Sequence, residues 1–544
     1  MIQRCFFALA CLAMTVSLGA MLHAESPSAP TENLPDLGQP DPVQQLADKI
    51  DRHIADGWQA NNVSPSEPAS DAEYIRRVYL DIAGRIPPAS VVREFLNDDS
   101  SDKRRVLVDK LLDSPGYARH WTNVWRDALV PEAKGNFQSQ FAMPSFNGWV
   151  REKLLNDTPY DEIVQELLTA NLGQRGGNAS VVISSNQGPS PNAFYQLKEN
   201  KPENLAAATT RLFLGVRVEC AQCHDHPFAK WKQEEFWSTA AFFSANQPAE
   251  NFFQAAREVF TGESRIQIPD TETYVSAKFL DGSEPESKSS DEARKALAEW
   301  VTADANPYFA QALTNRMWGH FFGTGIVDPI DDFDEANPAS HPDLLADLAQ
   351  GFIEQEYDLK FVIRAITASK TYQLSSKQTH DSQEDPRLFA KAAVRGLSGE
   401  QLWDSLVAST GISEAQASPG IVIGGRGGGR ADFVQKFEDA AENPTERRTS
   451  IVQALALMNG EATASATSLE QSETLLAIIE SPFFNNKQRL EALYLASLSR
   501  KPTADEEQKM LAYVESGGPA GDWKAALSDV YWALLNSSEF ISNH

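Results

Sequence analysis

The stretch AEYIRRVYLDIAGRIPP, residues 72–88, sets the fold class. Ile75, Val78, Tyr79 and Ile82 recur at helical spacing, which predicts one apolar stripe along an α-helix. Gly84 then stops the helix, and Pro87-Pro88 follow where it cannot resume. The same grammar runs through the chain. DKRRVLVDKLLDSPGYARHW (102–121) repeats the stripe with Val106, Leu107, Leu111 and Leu112. NPYFAQALTNRMWGHFFG (306–323) offers Asn306 as N-cap, Pro307 in the first turn and Gly323 as the stop. SHPDLLADLAQGF (340–352) opens with Ser340 and Asp343, a capping-box-like pair, and spaces Leu344, Leu348 and Phe352 four apart. Only SRIQIPDTETYVSAKFLDG (264–282) alternates apolar and polar residues, which predicts a short hairpin or small sheet. The expected fold is therefore mainly α. Two helical domains, 43–247 and 291–544, are joined by a short β-rich segment and hinge at 248–290.

The 544 residues suffice for two or three domains, and the apolar fraction of 42% suits a globular protein. Residues 1–24 read as a signal peptide: Arg4 supplies the charge, Cys5–Ala20 the apolar run, and Leu22-His23-Ala24 the cleavage site. Residues 25–42 are rich in Pro, Ser and acids and read as a flexible linker. The expected location is outside the cytoplasm, periplasmic or extracellular. No later stretch is apolar enough to span a bilayer, so no stable membrane span is expected after cleavage. Cys5 and Cys11 leave with the signal, so Cys220 and Cys223 remain and no disulfide framework exists. The formal charge of −27 repels phosphate backbones and argues against nucleic acid as a partner. Residues 173–197 read as a long loop. The Gly-rich run 420–433 lacks the Gly-Lys-Ser/Thr ending of a phosphate-binding loop and reads as a mobile surface loop. Neither a G-x-S-x-G elbow nor an HExxH helix occurs.

The remaining chemistry lies in CAQCHDHPF (220–228). CxxCH is the spacing of covalent haem attachment. Cys220 and Cys223 can reach two vinyl groups on one porphyrin edge, and His224 can ligate the iron of a haem c. Phe228, Trp231, Phe236 and Trp237 could cover a porphyrin face. Candidates for a sixth ligand are His120, Met143, Met317, His320, His341 and Met458. Two readings compete with haem: zinc held by Cys220, Cys223, His226 and a fourth ligand, and a disulfide or thiol pair. In the second half, Arg316 and His320 are four apart on one helix face. DPIDDFDE (328–335), with Asp332, is acidic enough for calcium or magnesium but lacks the EF-hand order. A solvated loop is the competing reading. Arg316, His320, Asp332 and His341 form a loose candidate catalytic set, against helix–helix packing.

Several long motifs resemble a known pair of domains. AEYIRRVYLDIAGRIPP, VDKLLDSPGYARHW, FNGWVREKLLNDTPYDEIVQELLTA and FLGVRVECAQCHDHPFAKW resemble the planctomycete-specific cytochrome-like domain. NPYFAQALTNRMWGHFFGTGIVDPIDDF, NPASHPDLLADLA, DLKFVIRAITASKTYQLSS, RRTSIVQALALMNGE and LASLSRKPTADE resemble the planctomycete-specific domain that usually follows it. Both are domains of unknown function, and the cytochrome label rests on the same CxxCH. Many relatives carry a further cytochrome c domain with its own CxxCH, whereas this chain has no second copy. Gly396 and Trp403 stand where relatives typically carry arginine. Relatives often neighbour genes for sulfatase-like proteins, which implies sulfated polysaccharide. Beside a plain scaffold role within a surface assembly, two functions follow as expectations. One is an exported c-type haem protein that transfers electrons to redox partner proteins or acts as a haem oxidoreductase. The other is a non-haem enzyme or binding module for polysaccharide, with CxxC as a structural disulfide or zinc site.

Overall fold

The computed structural model describes residues 41–134, 139–170, 188–225, 230–246, 264–286, 289–412, 430–437 and 457–544. The expected signal peptide, nearly all of the linker, His226, Phe228 and most of the Gly-rich run lie outside them. The first half holds helices α1 (Pro42–Asn61), α2 (Asp71–Ala83), α3 (Ala89–Asn97), α4 (Lys103–Leu112) and α5 (Pro115–Leu129). It continues with α6 (Ser139–Leu155), α7 (Tyr160–Leu168), α8 (Ala193–Leu197), α9 (Pro202–Leu214) and α10 (Gln233–Ala240). The second half holds α11 (Ser290–Val301), α12 (Pro307–Phe322), α13 (Pro342–Glu354), α14 (Leu359–Ala368) and α15 (Gly399–Thr410). It closes with α16 (Arg430–Phe437), α17 (Glu461–Ala466), α18 (Glu473–Glu480), α19 (Asn486–Leu498), α20 (Ala504–Ser516) and α21 (Trp523–Leu535). The mainly α expectation holds. No helix among the described residues is long and apolar enough to cross a membrane.

Helix α2 shows how the sequence makes these elements. Ser70 accepts a hydrogen bond from the Glu73 amide at 3.3 Å, and Gly84 ends the helix in the left-handed conformation at φ +69°. Gly84 is also required sterically, because a Cβ there would sit 2.4 Å from the His120 imidazole of α5. The single apolar stripe is only part of the outcome, since Arg76, Arg77 and Asp81 are buried as well. The reason is position. Most of α2 packs in a core drawn from residues 46–389, while Leu80, Ile86 just past the helix end, and residues from 402 to 540 build a second core. The segment 248–290 does not divide these cores, because α11–α14 share the first with α1–α10.

The hairpin expected within 264–282 forms as β1 (Arg265–Gln267) against β2 (Tyr274–Ser276), antiparallel, with Ile266 opposite Val275. A second pair, β3 (Arg395–Gly396) with β4 (Ser542–Asn543), brings the C-terminal segment beside α15's lead-in. Helix α12 starts on Asn306 and stops at Gly323 as expected. Two expectations need correction. Ser340 does not cap α13, since His341 occupies the N-cap and Ser340 is tied through N and Oγ to the Ile326 carbonyl at 2.8 and 3.1 Å. The end of the expected loop 173–197 is helix α8, because Phe194 and Tyr195 are buried and the Tyr195 hydroxyl donates to the Leu168 carbonyl at 2.7 Å.

Candidate functional site

The CxxCH follows directly from the end of α9. Gly215 closes that helix at φ +67°, with its amide bonded to the Arg211 carbonyl. The chain then makes a 3₁₀ turn over Glu219–Gln222, pinned by the fully buried Ala221. Cys220 lies inside the turn and Cys223 is the residue that ends it. Both are exposed free thiols. The turn is fastened from α10. Trp237 Nε1 donates to the Gln222 carbonyl at 2.9 Å, and Gln233 Nε2 donates to the Cys223 carbonyl at 2.9 Å. The Gln233 amide also donates to Asp225 Oδ1 at 3.0 Å.

His224 is exposed, and its Nδ1 lies 2.8 Å from the Asp225 carbonyl oxygen. A carbonyl only accepts, so Nδ1 carries a proton, which leaves Nε2 as the nitrogen that can ligate. A backbone carbonyl on the far nitrogen is the usual way of orienting a ligating imidazole. The donor set thus fits covalent haem, with two exposed free thiols and an imidazole whose Nε2 can ligate. Of the aromatic flank, Trp231, Phe236 and Trp237 are buried in the core, and Trp237 fastens the turn. Among the described residues no group of three or more His, Cys, Asp or Glu side chains is placed to hold a metal ion by itself.

The structure brings the acidic loop to this segment. Phe333 lies on Gly215, where a Cβ would sit 2.3 Å from its ring, and the Phe333 amide donates to the Gly215 carbonyl at 2.8 Å. Helix α12 aims the loop: Asn315 bonds Val327 in both directions at 2.8 and 2.9 Å and donates to Ile330, and Arg316 forms an ion pair with Asp331. Asp331 in turn acts on Glu219, the residue before Cys220. Burial pushes the Glu219 carboxyl above its usual range, Arg211 and Arg217 oppose this, and Asp331 reinforces it. Sequence reasoning passed over Glu219. Its only signal was one acid between Arg217 and the cysteines.

The proposed set of Arg316, His320, Asp332 and His341 does not converge. Arg316 is taken by Asp331 rather than Asp332. Asp332 accepts from Asn337 through its backbone oxygen at 2.9 Å, as a turn residue would. His320 sits against Trp121, with ring centroids 4.7 Å apart, and its Nε2 donates to the Asp81 carbonyl at 3.1 Å. That nitrogen carries a proton and cannot bind a metal. His341 lies against Gly57 of α1 and the Phe389 ring, 5.6 Å away, with Nδ1 on Ser340 Oγ. Among the sixth-ligand candidates, Met317 is wholly in the core, His120 is buried under Gly84, and Met458 is exposed.

The polar residues of the opening motif form a larger network than sequence reasoning found. Asp81 Oδ1 accepts from Arg395 and Asn543, both at 2.7 Å, and Oδ2 accepts from Tyr372 at 2.8 Å. Arg76 donates to the carbonyls of Ser497, Glu539, Phe540 and Ser542. Arg77 donates to those of Tyr372, Leu374 and His544. These side chains fasten the C-terminal segment onto α2.

Two family models match the chain. Residues 49–247 match PSCyt2, a protein of unknown function (DUF1549), and residues 293–423 match PSD1, a protein of unknown function (DUF1553). No curated protein and no solved structure matches.

Proposed function

For a chain that carries the planctomycete cytochrome-like domain followed by its C-terminal partner domain, we propose the function of an exported c-type haem protein. It would transfer electrons to a redox partner protein or act as a haem oxidoreductase. The observation that carries this reading is the exposed CxxCH turn, with two free thiols and His224 oriented through Nδ1. Cys220 and Cys223 would hold the porphyrin through thioethers and His224 Nε2 would ligate iron, so the haem would supply one-electron redox chemistry. The protein's own contribution is positional. Trp237 and Gln233 fix the turn carbonyls, so the thiols and imidazole keep their orientation without the group bound. The raised Glu219 carboxyl gives a protonatable group one residue from the attachment point. The dispersed Arg316, His320, Asp332 and His341 lend no support to a polysaccharide-cleaving site there.

The test is expression with the signal segment in a host that matures c-type cytochromes, followed by a pyridine haemochrome spectrum of the denatured protein. A c-type α-band present in the wild type and lost in Cys220→Ala/Cys223→Ala supports the proposal. Exported protein without covalent haem overturns it.

A further inference from the structure

A c-type haem iron takes a histidine on one face and, in electron carriers, a histidine or methionine side chain on the other. The elements around the CxxCH turn offer no second one. The turn packs on α10, which also meets the β1–β2 hairpin, and Phe333 brings the acidic loop to Gly215. Residues 202–246, 264–282 and 328–335 contain no histidine or methionine besides His224 and His226. His226 lies outside the described residues. Two residues of chain span at most about 7 Å, too little to round a porphyrin from His224 and reach its opposite face.

Among the described residues, the other histidines and methionines are held elsewhere. His53 of α1 is bonded through Nε2 to Asp347 of α13 at 2.8 Å. His120 is packed under Gly84, His320 donates to the Asp81 carbonyl, and His341 lies on Gly57. His380 caps a 3₁₀ turn by accepting the Ser382 amide at 3.1 Å, and His544 lies beside Glu539. Met317 is enclosed in the first core, Met510 packs against the second, and Met458 follows Leu457 of the second core and faces solvent. Met143 is half-buried on α6, which packs against α5 and α8. Cys220, Cys223 and His224 are all exposed, so a group attached through them stands at the surface, open to solution.

We infer, as an extension that rests on the haem reading above, that His224 is the single axial ligand this chain supplies, and that the opposite face of the iron takes a small ligand from solution, a diatomic gas or a peroxide. An electron carrier closes both axial positions with side chains, whereas an exchangeable sixth position serves ligand binding and activation. The placement of these side chains therefore favours the oxidoreductase side of that reading over a pure electron carrier.

Absorption and electron paramagnetic resonance spectra of the full chain, exported from a host that matures c-type cytochromes, test it. The pyridine haemochrome comes first: without covalent haem the haem reading fails, and this inference falls with it. With covalent haem established, the ferric protein should be high-spin, and added imidazole should turn it low-spin. The dithionite-reduced protein should form a carbon monoxide complex with a shifted Soret band. All three properties should be unchanged in Met143→Leu, which conserves side-chain volume, and on dilution. A ferric form that is low-spin without added ligand, or a reduced form that takes up no carbon monoxide, overturns the inference and leaves the haem reading standing. A low-spin form that becomes high-spin in Met143→Leu or on dilution also overturns it, and assigns the sixth ligand to Met143 or to a second copy of the chain.

Discussion

The Asp81 carboxylate and the Arg395 guanidinium meet at 2.7 Å with side chains only 2% and 7% exposed. This pair joins the second helix of the chain to the strand that precedes α15. Removing one partner leaves a charge buried without its counter-ion, which costs about 3–5 kcal/mol. Arg395→Met should therefore lower the unfolding free energy by about that much in a denaturant titration. A loss below about 1 kcal/mol would show that Tyr372 and Asn543 suffice to hold Asp81.

Arg76 serves four carbonyls at the chain's end. Lysine has the charge but lacks the planar fork, so it cannot reach all four. Arg76→Lys is expected to destabilise the fold by about 2–4 kcal/mol and to raise amide exchange across residues 539–543. Unchanged exchange there would remove this arginine from its anchoring role.

Gly215 and Phe333 link the CxxCH-bearing segment to the acidic loop. Gly215→Ala adds a Cβ both in a left-handed conformation and inside the phenyl ring's space. The left-handed conformation alone costs about 1 kcal/mol or more. In a Phe333→Ala background the steric part should vanish and the conformational part remain. Equal costs in the two backgrounds, read by thermal unfolding, would deny the contact.

The pH dependence of stability has a defined sign. His341 and His544 both have folded pKa values pushed down, by burial first, with His53 and Arg387 adding to the shift for His341. Below the unfolded value of about 6.5 the unfolded chain takes up protons that the folded chain resists. Stability should then be full above about pH 6.5 and fall as the pH drops through the folded values. His341→Gln should flatten part of that fall. A profile as steep as the wild type's would mean that His341 does not titrate against folding.

Trp237 holds the Gln222 carbonyl. Trp237→Phe removes the donor while keeping most of the buried ring, at a cost of about 1 kcal/mol. In folded protein made without haem, thiol alkylation at Cys220 and Cys223 should proceed, because both are exposed. Thiols that react only after denaturation would contradict the exposed turn.

The sequence by itself determined the helices. Apolar spacing in 72–83, Asn306, Gly84, Gly215 and Gly323 acts within one turn of backbone, so local physics suffices to read it. The CxxCH was equally legible, since it is a pattern within five residues. Tertiary structure alone decided what the polar residues do. Arg76, Arg77 and Asp81 look like the wet side of an amphipathic helix until a second core packs against that face. Their partners lie about 290 to 470 residues away. No local pattern encodes such a pairing, and a two-residue strand such as β3 has no periodicity to detect. The same distance explains the candidate set that failed. His320 and His341 are near in sequence, yet one faces α2 and α5 and the other α1, because helix packing, not spacing along the chain, fixes which side chains meet.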